Sequence, residues 1–214
     1  MATPDTVQFA PVASEPSSLL LGLDKPLSNL DIEVEAVGRL GYETDDGSFG
    51  FVGHERDCGG FSDAAKQVAK WGDIAIQLLA PAYGGRFYMY MWRDPRDACV
   101  SLELQAGNLY FETERWPKVE WVRALLPAVC VSLGASASAY DAHRGELFEA
   151  LDIAALLSGL RDGSLWATVP LSHYMVRHEL MPAAEMRDLV RHHAPPGFRY
   201  SETTTGYYVL DNLF

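Results

Sequence analysis

Three strand-like runs at residues 86–92, 98–105 and 108–114 constrain the fold more than any other feature of the sequence. Asp-Pro and Ala-Gly pairs, which are typical of turns, separate them. In the first run (RFYMYMW), apolar side chains fill both sets of alternating positions, as in a central strand covered on both faces. Strands joined by such short turns pair with their neighbours. We therefore predict an antiparallel meander sheet over about residues 86–114.

Apolar residues at helical spacing predict helices that pack against this sheet. One helix begins near Ser62 and another begins at Pro117. Pro127 is an objection to the second of these, because proline costs about 3 kcal/mol in a helix interior. Further helical patterns cover residues 146–160 and 182–193. The fold class indicated by these elements is α+β.

The two ends of the chain carry different signals. Pro, Ser and Thr punctuate the first thirty residues, which we predict to be irregular apart from a strand at residues 6–9. The C-terminal part of the chain is predicted to form a helix followed by a hairpin of residues 198–202 and 206–210. No repeat or linker divides the chain, so a single α+β domain over residues 1–214 is expected.

The charge of the chain excludes some partners and favours others. Asp and Glu number 29 against 17 Lys and Arg, for a net charge of −12. Nucleic acids and anionic membrane surfaces attract basic proteins, so neither is expected as a partner. Residues 1–60 hold eleven acidic and three basic residues. We predict a basic protein partner, bound through the densest acids of this region: Asp31, Glu33, Glu35, Glu43, Asp45 and Asp46.

A second hypothesis is a small serine hydrolase with Ser136 as its nucleophile. Ser136 lies in Gly-X-Ser-X-Ser, which is close to the Gly-X-Ser-X-Gly elbow of α/β-hydrolases. Asp152 or Asp162, followed by His173 or His178, supplies the partners in the expected chain order. The missing second glycine and the absence of an upstream His-Gly-Gly segment argue against this hypothesis.

Metal and cofactor motifs are weak in this sequence. A zinc-protease helix needs a second histidine four residues after the first, and Cys58 stands at that position relative to His54. No third ligand at a fixed spacing is visible, and no glycine-rich phosphate-binding motif occurs. We therefore predict neither a metal nor a cofactor.

The cysteines and the first residues indicate a compartment. Three cysteines without a Cys-X-X-Cys pair favour reduced thiols over a disulfide framework. The first basic residue is Lys25, and prolines interrupt the segment before it, so a secretion signal is not expected. A cytoplasmic location is predicted.

The overall layout resembles the cytoplasmic immunity proteins of bacterial toxin–immunity systems. The resemblance is carried by the acidic α+β character, the aromatic runs at residues 86–92 and 108–111, and the closing GYYVLD at residues 206–211. It implies stoichiometric, non-enzymatic inhibition of a toxin, and no site residue is carried over from it. A structural or scaffold subunit, whose sheet a partner covers, is a further alternative.

Overall fold

The computed structural model describes residues 5–42, 49–51, 56–94, 97–104, 115–141, 150–166 and 172–213. Within these ranges the chain forms eleven strands and five α-helices, which confirms the predicted α+β class. No helix in the described ranges is long and apolar enough to cross a membrane.

The strands belong to one antiparallel sheet with the order β10-β11-β9-β8-β1-β7-β6-β5-β2-β3, and β4 pairs with β2. Their bounds are β1 Asp5–Phe9, β2 Glu33–Tyr42, β3 Phe49–Phe51, β4 Arg56–Asp57, β5 Ile74–Ala80, β6 Gly85–Asp94, β7 Asp97–Leu104, β8 Ala137–Asp141, β9 Ser172–Arg177, β10 Arg199–Glu202 and β11 Tyr207–Asp211.

Five helices and two short 3₁₀ turns cover this sheet. The helices are α1 Pro16–Ser28, α2 Phe61–Trp71, α3 Arg115–Leu133, α4 Ile153–Asp162 and α5 Ala183–His193. The 3₁₀ turns are Pro81–Tyr83 and His178–Leu180. The C-terminal helix and hairpin are thus confirmed as α5 with β10 and β11.

The helices divide between the two faces of the sheet because side chains alternate along each strand. On one face, α1, α2 and α3 enclose the larger core with residues such as Phe87, Met89 and Leu102. On the other face, α4 and α5 cover β8, β9 and β11 through a second cluster that includes Tyr174 and Tyr208. Helices of the same chain therefore pack on both faces of the sheet.

The predicted meander is found in its first two strands. β6 and β7 form a hairpin in which Met89 lies opposite Leu102, and the third predicted run, residues 108–114, is outside the described residues. The other edge of β7 pairs with β1, where Val7 lies opposite Leu102. β1 also pairs with β8, so the earliest strand of the chain joins the two halves of the sheet.

The expectation of an irregular first thirty residues is wrong. Pro16 lies in the first turn of α1, where the missing N–H of proline has no helical partner to lose. The helix then buries Leu19, Leu20, Leu23 and Leu27. These leucines recur at helical spacing and form one apolar stripe. Burial of this stripe stabilises the helix, although the prolines of the segment suggested a loop.

The helix predicted from Pro117 forms despite Pro127, and it extends beyond the predicted residues as α3. Val122, Leu125, Leu126 and Val129 are fully buried around the proline. Burying each of these side chains contributes about 1.5–3 kcal/mol, which together exceeds the cost of about 3 kcal/mol for an interior proline.

Candidate functional site

A cleft lined by acidic side chains lies where the end of α1, the start of β2 and the start of α2 meet. Its volume is about 410 Å³, and Asp24, Ser28, Glu33 and Cys58 are among its lining residues. Asp24 and Glu33 are exposed, as is the adjacent Asp31. None of the described lining residues is Lys or Arg. We call this feature the acidic cleft; its exposed carboxylates give it a negative potential.

The turn between α1 and β2 places these carboxylates. The N–H of Asp31 donates to the Ser28 carbonyl (3.1 Å), and the N–H of Ile32 donates to the Leu27 carbonyl (3.1 Å). Asp31 has a φ of 53°, a left-handed conformation that Asp and Asn tolerate better than most residues. The turn ends α1 and directs β2 so that Glu33 and Asp24 lie on the same cleft.

Glu35 belongs to the predicted acidic set, but its charge is matched by a base. The register of β2 shifts between Val34 and Ala36, and Glu35 lies at this irregularity. Arg86 donates to it through Nε (2.5 Å to Oε2) and Nη2 (3.0 Å to Oε1). The Arg86 hydrogen bond lowers the pKa of the Glu35 carboxyl. Glu35 is therefore held by its own chain and offers little to a partner.

The remaining predicted acids, Glu43, Asp45 and Asp46, lie outside the described residues. Asp24 takes part in the cleft although it is absent from the predicted set. Its signal is helical spacing: in a helix over residues 16–28, Asp24 and Ser28 share one face, and the Ser28 hydroxyl donates to Asp24 at 3.4 Å. The prediction lacked that helix.

Cys58 lines the acidic cleft as a thiol. Burial raises its pKa, and the nearby Asp63 carboxylate raises it further. A protonated thiol is a poor nucleophile and a poor zinc ligand. Within the described ranges, no group of three or more His, Cys, Asp or Glu side chains is arranged to hold a metal ion. His54, the other member of the sequence cluster, lies outside those ranges.

Among the described residues, no aromatic side chain is exposed enough to join the acids in partner binding. Among them, the large hydrophobic side chains classed as exposed are Leu21 and Val131. Tyr90 and Trp92 are buried at 7% and 8% exposure. Phe87, Tyr90 and Trp92 of β6 are buried, as expected for a strand in the centre of the sheet, whereas Tyr88 is half-buried.

Of the residues of the hydrolase hypothesis, Ser136, Asp152 and His173 are not brought together. The backbone carbonyl of Ser136 accepts a hydrogen bond from the N–H of Arg177, whereas His173 lies opposite Tyr140. Four residues of strand, about 13 Å, separate the two positions along β9. Asp152 accepts from the N–H groups of Ala154 and Ala155 as the N-cap of α4. That helix packs on the face of the sheet opposite to His173.

His173 belongs instead to a buried polar cluster beneath α3. Arg123 of α3 donates from Nε to Asp211 (2.6 Å), from Nη1 to Glu120 (2.5 Å) and from Nη2 to the Leu213 carbonyl (2.6 Å). Asp211 lies opposite His173 in the register of β9 and β11. Burial lowers the pKa of His173 to about 4, so its ring is neutral at pH 7.

This cluster stabilises the fold rather than forming a reaction centre. The Arg123 and Asp211 side chains are only 11% and 10% exposed, so their charges are largely removed from water. Asp211 also accepts from the N–H of Leu213 at 2.8 Å. The hydrogen bonds tie α3 to the last strand and to the segment after it.

No known protein family matches this chain, and no curated protein matches it. A solved structure described as the Pseudomonas aeruginosa T6SS protein PA0821 is similar over 97% of this chain, with a TM-score of 0.48 and 12% sequence identity. The chain covers 64% of the length of that protein.

Proposed function

We propose that this protein binds a basic protein partner through the acidic cleft and neutralises it, in the manner of a toxin-specific immunity protein. The observation that carries the proposal is a cleft of about 410 Å³ lined by the exposed Asp24 and Glu33, with the exposed Asp31 two residues before Glu33 in the chain. None of the described lining residues is Lys or Arg. The site therefore offers uncompensated negative charge and a recess for Lys or Arg side chains.

Charge complementarity of this kind acts mainly on the rate of association. Opposite potentials steer two proteins together and raise the association rate constant well above that of a neutral pair at low salt. The net charge of −12 adds a long-range attraction to the local one. Binding is accordingly expected to weaken as ionic strength rises, because the Debye length falls to about 8 Å at physiological salt.

The cysteines fit a cytoplasmic location for this function. Cys58, Cys99 and Cys130 are all free thiols. Burial raises the pKa of Cys99 to about 11 and that of Cys130 to about 12, which keeps both protonated. In the proposal, the protein protects the cytoplasm in which it is made.

Neutralising the cleft is expected to weaken partner binding at least tenfold at low salt. The variant is D24N/D31N/E33Q, in which Asn at position 31 keeps a residue that tolerates the left-handed conformation. The partner is captured from bacterial lysate and secreted fractions, purified, and titrated against both proteins at low and high salt. The loss is expected mainly in the association rate and should shrink as salt rises.

Charge-matched and functional controls complete this experiment. The control variant, D162N/E179Q/D188N, also removes three exposed carboxylates, from the region of α4 and α5. It should bind like the wild type. When the captured protein is expressed in bacteria, wild-type protein should relieve its toxicity and the cleft variant should relieve it less. Equal binding by the two triple variants would refute the cleft as the contact surface. A captured partner whose activity is unaffected by binding would favour the scaffold alternative.

A further inference from the structure

A second cavity, distinct from the acidic cleft, lies on the opposite face of the sheet under the start of α4. Its volume is about 260 Å³. Polar groups of Thr6, Gln8, Tyr174 and Asp152 line it together with apolar side chains, including that of Leu156. Pairing of β1, β8 and β9 brings the first three residues onto one face of the sheet.

Among the described residues, no group bonds the hydroxyl of Thr6, a residue that lines this cavity. Thr6 is 2% exposed, and its Oγ1 is among the buried side-chain atoms of the described residues that no group satisfies. A buried hydroxyl without a partner is costly, and most such groups in folded proteins are bonded. Because Oγ1 itself has almost no accessible surface, a molecule in the cavity bonds it after a small shift of the lining side chains.

Asp152 supplies the charge of the cavity. Both of its hydrogen bonds to the α4 backbone, from the N–H groups of Ala154 (2.8 Å) and Ala155 (3.0 Å), end on Oδ1. Among the described residues, no group donates a hydrogen bond to Oδ2, which therefore remains available to a ligand. None of the described lining residues is Lys or Arg. The cavity combines one carboxylate, neutral hydrogen-bonding groups and an apolar wall.

We propose that this cavity binds a small molecule carrying a planar amidinium or guanidinium group. A planar cation with several N–H donors matches a carboxylate oxygen and a hydroxyl acceptor, and its charge is compensated by Asp152. The size also fits: a cavity of about 150 Å³ holds benzene, so 260 Å³ accommodates one ring with a planar polar substituent. This inference does not depend on the proposed function of the acidic cleft.

Benzamidine is the probe for this site, titrated into the full-length protein by calorimetry and by NMR. We expect saturable binding with a dissociation constant of about 1 mM, which is typical for a ligand of this size. D152N should weaken binding about tenfold because it removes the charge while Asn still caps α4. T6V should weaken it about threefold because valine keeps the branched shape and loses the hydroxyl.

Three controls separate this site from nonspecific binding. D162N removes an exposed carboxylate at the other end of α4 and should leave the affinity unchanged. Benzyl alcohol has the ring without the cation and should bind at least tenfold more weakly than benzamidine. D152N and T6V should keep the wild-type Tm within about 3 °C, which shows that both variants fold.

Several results would overturn the proposal. The proposal fails if benzamidine shows no saturable binding, or if it binds D152N and wild-type protein equally well. Equal binding of benzyl alcohol and benzamidine would show an apolar cavity without selectivity for a cation. Each of these outcomes leaves the acidic cleft and its proposed protein partner untouched, because the two cavities share none of their described lining residues.

Discussion

The R123M substitution is expected to lower the free energy of unfolding by about 3–5 kcal/mol, as for other buried ion pairs that lose one member. Methionine retains much of the apolar stem of arginine but removes all three hydrogen bonds. The Asp211 carboxylate then stays in a site that is 10% exposed without its counter-charge. The Leu213 carbonyl also loses its bond from Nη2. Urea unfolding at pH 7 measures the change.

Two further variants identify the cause of that loss. R123M/D211N removes both charges, while Asn retains an oxygen for the N–H of Leu213, so it should recover more than half of the lost stability. R161M breaks the exposed pair of Arg161 with Glu185 and should cost less than about 1 kcal/mol. If the double variant were as unstable as R123M, lost packing rather than the unpaired carboxylate would explain the effect.

Protonation of His173 is expected to remove about 3 kcal/mol of stability as the pH falls from 7 to 4. Burial is the main cause of its lowered pKa of about 4, Asp211 opposes the shift, and Arg123 adds to it. The unfolded chain has a His pKa near 6.5, so between these values the unfolded state binds the extra proton. Stability is therefore complete above about pH 6.5 and declines until the folded pKa is reached.

The H173Q variant isolates this contribution from the carboxylates that titrate in the same range. Glutamine does not ionise, so the wild type should lose about 3 kcal/mol more than H173Q between pH 7 and pH 4. Denaturant unfolding of both proteins at half-unit pH steps gives the difference curve. A flat difference curve would mean that His173 does not titrate differently in the folded and unfolded states.

Elements with local signals were predicted well from the sequence. The β6–β7 hairpin, α5 and the β10–β11 hairpin each combine a hydrophobic period with turn or cap residues only a few positions away. The helix α1 was missed because its prolines were given more weight than its leucine stripe. That error also hid Asp24, since its place beside Glu33 depends on the helix ending at Ser28.

The sequence alone did not indicate which distant residues contact each other in the folded protein. Arg86 neutralises Glu35 from 51 positions away, and Arg123 reaches Asp211 across 88 positions. Neither partner is distinguished by its neighbours in the chain, so an acid held internally looks the same as one free for a partner. In β2, acidic and apolar residues alternate from Glu33 to Ala36, which is typical of a strand. This alternation does not indicate which strands lie beside β2.

The central place of β1 has a consequence for the order in which the protein folds. β6 and β7 meet across a tight turn, but β1 must pair with a strand nearly a hundred residues later and then with β8, later still. Closing such long loops is slow, and sheets dominated by distant contacts fold on timescales of milliseconds to seconds. During synthesis, β1 leaves the ribosome before either of the two strands that pair with it. Val7 and Phe9 of β1 are buried in the folded protein. Until β8 has been synthesised, they are exposed to water unless a chaperone or transient collapse of the nascent chain buries them.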